Sequence, residues 1–343
     1  MRPALAVAEA LRERGVTVSF AASEGRVESE LVPEAGFELD TFPISGLPRR
    51  PGLELVRAFL RALRAPVACS RILARRRPDV VLGAGGYVAG PMVLAARLRG
   101  IPTALTEADA RLGLANRLAA PFARRVFLAY AIDSRHGPKY EVVGRAIPRA
   151  HLGVDPGAAR RRLGLPAEGP VVAVLGGLAG ARALNELAVE TWGERGPAVV
   201  HVAGERDFDW LRSRVQRSDY VLLATAERFG DVLAAADLAV SRAGGTVWEL
   251  AATGTPAVLV PYPHATGDHQ LLNARAFERG GGAICVQQAE LARVPGIVES
   301  LLADPDRLRA MGEAMRAMAR PDAAERIADA LVALAKEGRR RAA

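Results

Sequence analysis

The chain contains few of the features that mark secreted, membrane-spanning or metal-binding proteins. Its 343 residues include only two cysteines, Cys69 and Cys285, and these form neither a CxxC pair nor a metal-spaced set. We therefore expect a reducing compartment and no disulfide framework. The longest apolar runs fall short of the roughly 18 to 20 residues that span a bilayer, and no signal-peptide pattern is recognisable. These absences favour a cytoplasmic protein.

The charge is unbalanced, but its distribution argues against a nucleic-acid ligand. The net charge is +8 and the pI is near 10.2, and phosphate backbones are bound chiefly by Lys and Arg. The basic residues are overwhelmingly arginines spread along the chain, without a recognition helix, a zinc finger or an aromatic-basic RNA motif. We expect no nucleic-acid partner.

One basic cluster is local and lies between Leu47 and Pro78. Its arginines are opposed by a single acid, Glu54, and apolar residues interleave with them at broadly helical spacing. Such a segment can bind an anionic membrane leaflet through its apolar and cationic side chains. Alternatively, the arginines can form the solvated face of a packed helix. The arginines are Arg49, Arg50, Arg57, Arg61, Arg64, Arg71, Arg75, Arg76 and Arg77.

Apolar strand-like runs alternate with helix-like periodic segments, which predicts an α/β fold with doubly wound parallel sheets. The length suits two domains, and a polar, turn-rich segment over 144–170 suits their junction. We predict domains over residues 1–150 and 151–320, and a C-terminal helix with a basic tail, frayed from Lys336, over 321–343. Strands are predicted at residues 16–21, 80–82, 103–105, 126–128, 141–143, 171–175, 198–202, 220–223, 238–241, 257–260 and 283–286.

The most informative stretch runs from Ser241 to Glu249. A buried strand is predicted to end just before Gly244 and Gly245, and a helix-like segment follows from Thr246. The free amides and positive end of such a helix attract a phosphate, and Glu249, one turn into the helix, can accept hydrogen bonds from ribose hydroxyls. This pattern indicates a nucleotide site.

A second strand, glycine-rich turn and helix start occupies residues 171–182. Amides in such a turn suit a diphosphate. The same glycines can equally form an αβ packing turn without a ligand.

These motifs, with Gly-Gly-Tyr-Val-Ala-Gly-Pro over 85–91 and Asp-His-Gln over 268–270, resemble the MurG-type glycosyltransferases over nearly the whole chain. The resemblance implies the GT-B fold, in which two Rossmann-like domains face a cleft. It implies inverting transfer of N-acetylglucosamine from UDP-GlcNAc to the C4 hydroxyl of MurNAc in lipid I, giving lipid II for peptidoglycan synthesis. It further implies a peripheral enzyme at the cytoplasmic face of the cell membrane. The family needs no metal for the chemistry, so we expect no cofactor.

The resemblance also implies a set of donor-binding residues. Glu249 matches the ribose-binding Glu, and His269 and Gln270 match the pair that reads sugar hydroxyls. Asn116 matches a position that contacts the donor sugar, with a helix-surface Asn as the plain alternative, and Ala226 lies near the uracil contact. The loop before Glu249, one residue shorter than in the best-known members, comprises Gly244, Gly245, Thr246, Val247 and Trp248.

The sequence departs from the family pattern at several points. Leu178 stands where the family has a phosphate-binding Ser. The family's His-Glu-Gln-Asn becomes Thr-Glu-Ala-Asp over 106–109, and only Glu107 is kept. The phosphate-binding Gly-Asn-Pro-Val-Arg is distorted, so either Arg145 or Arg149 supplies the guanidinium. No residue can be assigned as the catalytic base.

The first predicted element is a helix over 3–15, whereas a Rossmann half opens with a strand and a glycine loop. In the family that piece carries a Gly-Gly-Thr-Gly-Gly-His loop and is on the order of 15 residues long. We expect that the native protein is longer because the start is misplaced, with a genuine truncation as the alternative.

Two rival functions follow from these departures. A GT-B transferase with another acceptor accounts for the altered 106–109 loop. A non-catalytic nucleotide-sugar-binding protein accounts for Leu178 and for the absent loop.

Overall fold

The computed structural model describes residues 1–25, 27–44, 53–177 and 180–342, with the side chains of 53–63 and 341–342 left out. The chain divides into a first unit, Met1–Ile147 with Pro321–Ala343, and a second unit, Pro148–Arg320. The second unit begins at Pro148, and the C-terminal segment from Pro321 belongs to the first unit.

Helices and strands alternate through most of both units. In chain order the elements before the boundary are α1 (Arg2–Glu13), β1 (Ser19–Ser23), α2 (Glu28–Glu34), β2 (Glu38–Phe42), α3 (Leu53–Arg76), β3 (Val81–Gly83), α4 (Gly86–Leu98), β4 (Thr103–Glu107), α5 (Leu114–Ala119), β5 (Arg125–Leu128) and β6 (Tyr140–Val142). The second unit contains α6 (Pro156–Leu163), β7 (Val171–Leu175), α7 (Arg182–Trp192), β8 (Ala198–Val202), α8 (Glu205–Arg212), β9 (Tyr220–Leu223), α9 (Phe229–Ala235), β10 (Leu238–Ser241), α10 (Thr246–Thr253), β11 (Ala257–Leu259), α11 (His269–Arg279), β12 (Ala283–Cys285), α12 (Val294–Leu302) and α13 (Pro305–Met318), and α14 (Ala323–Ala342) returns to the first unit.

The second unit is built on one parallel sheet with the order β12-β11-β10-β7-β8-β9. Every neighbouring pair of its strands is parallel, and β7 and β10 are buried along their whole length. This is the doubly wound order, in which the first and fourth strands of the domain lie side by side at the centre. The predicted parallel α/β fold is confirmed.

The first unit is also parallel, but its strands form two sheets, β1-β2 and β3-β4-β5-β6. Ala21 of β1 packs in the same apolar cluster as Val81 of β3, so the two sheets share a core. In the second unit β7 holds the central position of the doubly wound order, and no described strand of the first unit holds the equivalent place between β1 and β3.

Strand β2 is an element that the sequence analysis missed. Its middle residue, Asp40, is 8% exposed and accepts hydrogen bonds from Arg75 and from Arg76 Nε, the latter at 2.6 Å. The hydrogen bond from Arg76 is the largest cause that lowers the pKa of this carboxyl. A buried charge interrupts the apolar run that predicts a strand, and the same contacts show that Arg75 and Arg76 of the basic cluster are paired with carboxylates.

The predicted frayed tail is wrong, because α14 continues to Ala342. Its last turns are fixed by Arg339, which donates two hydrogen bonds to the Asp79 carboxylate at 2.7 and 2.6 Å. Gly338 lies close against Pro102, since a Cβ at this glycine would come within 2.7 Å of the proline ring. Both partners are distant in sequence, so no local pattern revealed them.

A buried polar network ties α7 to the sheet of the second unit. His201 on β8 is fully buried; its Nε2 lies 2.9 Å from Asn185 Oδ1 and its Nδ1 lies 2.8 Å from the Tyr220 hydroxyl. Asn185 in turn donates to the Ala203 carbonyl at 3.0 Å. A neutral imidazole satisfies both contacts, with Nε2–H donating and Nδ1 accepting. Burial lowers the pKa of His201 to about 3.

We expect this histidine to make folding sensitive to acid. The unfolded state binds a proton near pH 6.5 and the folded state only near pH 3, so stability is lost as pH falls below 6.5. Between pH 7.5 and pH 5 the loss from this residue is about 2 kcal/mol. Urea unfolding of wild type and His201→Gln at both pH values measures it. The difference in unfolding free energy between the two proteins should shrink at pH 5, and a constant difference would contradict the assignment.

Candidate functional site

The centre of the second unit's sheet places two loops side by side. Strands β7 and β10 are hydrogen-bonded neighbours in parallel register, with Leu175 opposite Ser241. The chain therefore leaves both strands at the same edge, at the point where the strand order reverses. In doubly wound sheets this crevice is where ligands bind.

The loop after β7 depends on glycine for its path. A Cβ at Gly176 would lie 2.5 Å from the Ala181 nitrogen, and one at Gly180 would lie 2.3 Å from the Ala203 carbonyl oxygen. Gly180 also has a φ of +70°, which side-chain-bearing residues rarely adopt. The loop leads into α7, whose first amides receive no side-chain cap from Ala181. Leu178 lies outside the described residues.

The loop after β10 leads directly into α10, and its first amides likewise receive no side-chain cap. Asn273 of α11 donates to the Ala243 carbonyl at 3.1 Å, which fixes the loop. A Cβ at Gly244 would be 3.9 Å from Gln270 Nε2, so Gln270 borders this loop. The structure thus brings together the predicted residues Gly244, Gly245 and Gln270.

The buried guanidinium of Arg242 supports the same loop. It donates to the Val260 carbonyl at 3.2 Å and to Gln288 Oε1 at 2.6 Å, which ties the end of β10 to the residues that follow β11 and β12. Burial lowers the pKa of this group. The sequence analysis assigned it no role, because its partners follow other strands.

The remaining predicted residues of the loop contribute differently. The side chains of Val247 and Trp248 are buried in the core, and Trp248 packs edge-on against Phe277 at 5.4 Å between ring centroids. Only Thr246 of these three keeps a partly exposed side chain. Val247 and Trp248 can therefore contact a ligand only through their main-chain atoms.

The remaining predicted donor contacts, His269, Ala226 and Arg149, lie in segments that follow three different strands. His269 is the first residue of α11, and its Nδ1 lies 2.9 Å from the Thr266 carbonyl. Ala226 is partly exposed in the loop after the edge strand β9. Arg149 is exposed and begins a 3-10 turn, Arg149–His151, in the second unit. Arg145 belongs to the first unit.

Glu249 has a partner that the sequence analysis did not identify. Its Oε1 lies 2.8 Å from His151 Nδ1, although the two residues are 98 positions apart. Both side chains are largely buried, at 13% and 9% exposure. No spacing or motif joins them, so only the fold reveals the pair.

In the first unit Asn116 is held by Glu107. Glu107 accepts hydrogen bonds from the amides of Ala108 at 2.9 Å, Asp109 at 3.3 Å and Gly113 at 2.8 Å, and Asn116 Nδ2 donates to it at 2.9 Å. Asn116 is 3% exposed, which corrects the surface alternative. Its Oδ1 is buried without a hydrogen-bond partner among the residues described.

Comparison with known proteins matches the two parts of the chain to one family. Residues 1–128 match the glycosyltransferase family 28 N-terminal domain, and residues 171–327 match the glycosyltransferase family 28 C-terminal domain. The two matched segments contain both candidate donor-contact regions, around Asn116 and around Glu249.

Individual relatives match over nearly the full chain. The UDP-N-acetylglucosamine–N-acetylmuramyl-(pentapeptide) pyrophosphoryl-undecaprenol N-acetylglucosamine transferase of Rubrobacter xylanophilus is 42% identical, covering 97% of this chain and 99% of its own. The transferase of the same name from Salinibacter ruber is 38% identical over 97% and 93%. The crystal structure of Acinetobacter baumannii MurG has a TM-score of 0.74 and 28% identity, over 96% and 94%.

We expect Glu107 to be essential to the Asn116 arrangement. Glu107→Gln places an amide donor among groups that already donate, so we expect a loss of about 2 kcal/mol in unfolding free energy of the first unit. Chemical denaturation measures it. The matched control is Glu141→Gln, which weakens a half-exposed ion pair with Arg326 at 2.8 Å and should cost less than about 1 kcal/mol. Equal losses in the two variants would contradict the role given to Glu107.

Proposed function

Because this chain belongs to the MurG family of glycosyltransferase family 28, we propose that it transfers N-acetylglucosamine from UDP-GlcNAc to the C4 hydroxyl of MurNAc in lipid I, with inversion at the anomeric carbon. The product is lipid II, the precursor of peptidoglycan. The observation that carries the proposal is the pair of uncapped helix starts at the switch point of the second unit, with Glu249 one turn beyond.

The diphosphate of the donor binds at the two glycine loops. Both α7 and α10 begin without side-chain caps. The amides of Leu184, Val247 and Trp248 already donate to main-chain carbonyls of the same turns, so the groups left for phosphate oxygens are the amides at the very start of each helix, where the positive helix ends also favour an anion. Charge builds on the diphosphate as UDP departs. Donors already in place stabilise that charge without reorganisation at the moment of reaction.

Hydrogen-bonding side chains orient the rest of the donor. Glu249 accepts from the ribose hydroxyls, and Gln270 and His269 read hydroxyls of the sugar. Asn116 is a further candidate contact to the sugar, because it matches the family position and its amide is held in one direction by Glu107. In the second unit, hydrogen bonds of Glu249, His269 and Gln270 with the donor hydroxyls restrain the anomeric carbon for attack opposite the leaving group.

The test is a transfer assay with the purified chain, UDP-GlcNAc and a short-chain lipid I analogue. We expect UDP and disaccharide lipid in equal amounts. Glu249→Ala should raise KM for UDP-GlcNAc about 10- to 100-fold, since it removes hydrogen bonds to a charged group. Glu313→Ala, which removes an exposed glutamate of α13, is the matched control. Binding of UDP-GlcNAc without transfer to lipid I would overturn the proposed acceptor.

We also propose peripheral contact with an anionic membrane through the first unit. Leu114 and Leu118 are 65% and 66% exposed and lie one turn apart on α5, so they share a face. Phe122, in the following 3-10 turn, is 40% exposed. Beside this face a surface pocket of about 280 Å³ is lined by Arg111, Arg117 and Arg135, among others. Apolar residues next to arginines suit the boundary between headgroups and acyl chains.

Of the helices in the described ranges, none has the length and apolar character needed to cross a bilayer. From the basic cluster, Arg64 and Arg71 are exposed on α3 and are available to anionic headgroups. Arg49 and Arg50 lie outside the described residues, as do the side chains of Arg57 and Arg61.

Vesicle binding tests the membrane proposal. The chain should sediment with phosphatidylglycerol vesicles more than with phosphatidylcholine vesicles, and added salt should weaken binding because it screens the charges. Exchanging both Leu114 and Leu118 for Ser should lower vesicle affinity about tenfold. Leu272→Ser, which removes a 41% exposed leucine from the second unit, is the control. Equal binding by both variants would contradict the assigned face.

A further inference from the structure

We propose that His151 is a positioning residue that holds the Glu249 carboxylate ready for the ribose diol of a nucleoside diphosphate. The inference rests on the proposed function of Glu249 and assigns a role to a residue that no sequence motif identified. It commits to one chemistry, namely a hydrogen bond from an imidazole N–H to one oxygen of the carboxylate.

The direction of this hydrogen bond follows from the two groups. Glu249 Oε1 lies 2.8 Å from His151 Nδ1, and an ionised carboxylate can only accept. Nδ1 therefore carries the proton. A charged acceptor shortens and strengthens such a bond, and the low exposure of both side chains, 9% for His151 and 13% for Glu249, limits competition from water.

The position of His151 is fixed independently of Glu249. Its main-chain nitrogen donates to the Pro148 carbonyl at 3.0 Å within the 3-10 turn. The start of α9 packs closely against this turn at Gly230. A Cβ added there would lie 2.5 Å from the Ala150 oxygen and 3.0 Å from His151 Cα. The Phe229 ring meets the imidazole edge-on, with 5.5 Å between centroids. The imidazole is thus a rigid donor.

A rigid donor on one oxygen leaves the other for the ligand. Among the described residues none donates a hydrogen bond to Glu249 Oε2. With Oε1 fixed, the carboxylate has one orientation before the nucleotide arrives, and binding need not pay for ordering it. Without His151 the side chain samples several rotamers, and the cost of ordering it falls on the ligand.

The ribose hydroxyls provide a direct test. We expect His151→Phe, which keeps an aromatic ring but removes the donor, to weaken UDP binding about tenfold, or about 1.4 kcal/mol. Binding of 2′,3′-dideoxy-UDP should not change, because it has no hydroxyl for Glu249 to accept. His151→Asn should recover most of the UDP affinity, since its amide donates from nearly the same place as Nδ1. Calorimetric titration of the full chain measures all of these.

Two further proteins complete the design. In a Glu249→Ala background, His151→Phe should cause no additional loss of UDP affinity, since the residues act through one contact. His136→Phe, which changes an exposed histidine of the first unit, should bind UDP like wild type. Thermal unfolding of each variant shows that it is folded.

The unfavourable outcomes are separable. If His151→Phe weakens UDP and dideoxy-UDP equally, the histidine supports packing alone and the inference is wrong. If Glu249→Ala weakens UDP while His151→Phe and His151→Asn do not, the inference fails and the proposed function stands. If wild type binds dideoxy-UDP as tightly as UDP, or binds neither, Glu249 is not a ribose ligand and the proposed donor site itself fails.

Discussion

The adjacency of β7 and β10 is the constraint on which the second unit's site depends. Because these two strands pair in parallel register, the loops that follow them must pass each other at one edge of the sheet. The two loops fit side by side for two reasons. Gly180 has no side chain and can approach the Ala203 carbonyl closely, and Asn273 holds the Ala243 carbonyl by a hydrogen bond. The result is two helix starts whose first amides are free of side-chain caps. On the proposed function, the amides at the very start of these two helices bind the diphosphate of the donor.

Glu107, Asp40 and Glu249 differ in how many hydrogen-bond donors hold their carboxylates. Glu107 accepts four hydrogen bonds, so its oxygens are occupied and it acts by orienting Asn116. Asp40 is similarly occupied by Arg75 and Arg76. Glu249 receives only the hydrogen bond from His151 among the described residues. On the proposed function, the remaining capacity of this largely buried carboxylate serves the ribose hydroxyls.

The sequence was sufficient where a strand is buried on both faces. The predictions at 171–175, 198–202 and 238–241 coincide with β7, β8 and β10, because such strands appear as continuous apolar runs. The edge strand β9 also coincides with its prediction at 220–223, although it is only partly buried. Strand β2 was not predicted, because its buried Asp40 is neutralised by arginines of a later helix. The helical end of α14 was not predicted either, because the residue that anchors it, Asp79, is 260 residues away. The glycine loops and Glu249 could be predicted because they belong to local sequence patterns. The contact between Glu249 and His151 could not, because it forms only when α9 and α10 pack together in the fold.

Arg145 and Arg149, the two candidates for a phosphate-binding guanidinium in the sequence, lie in different surroundings. Arg145 lies in the first unit, where its charge, after desolvation by burial, lowers the pKa of the Met1 amino group. Arg149 begins the three-residue turn that ends at His151 in the unit that carries both glycine loops. A guanidinium there is tethered two residues from the donor to Glu249, and its bidentate geometry suits a phosphate. Of the two arginines, Arg149 is thus the one whose short turn also carries the hydrogen bond from His151 to Glu249.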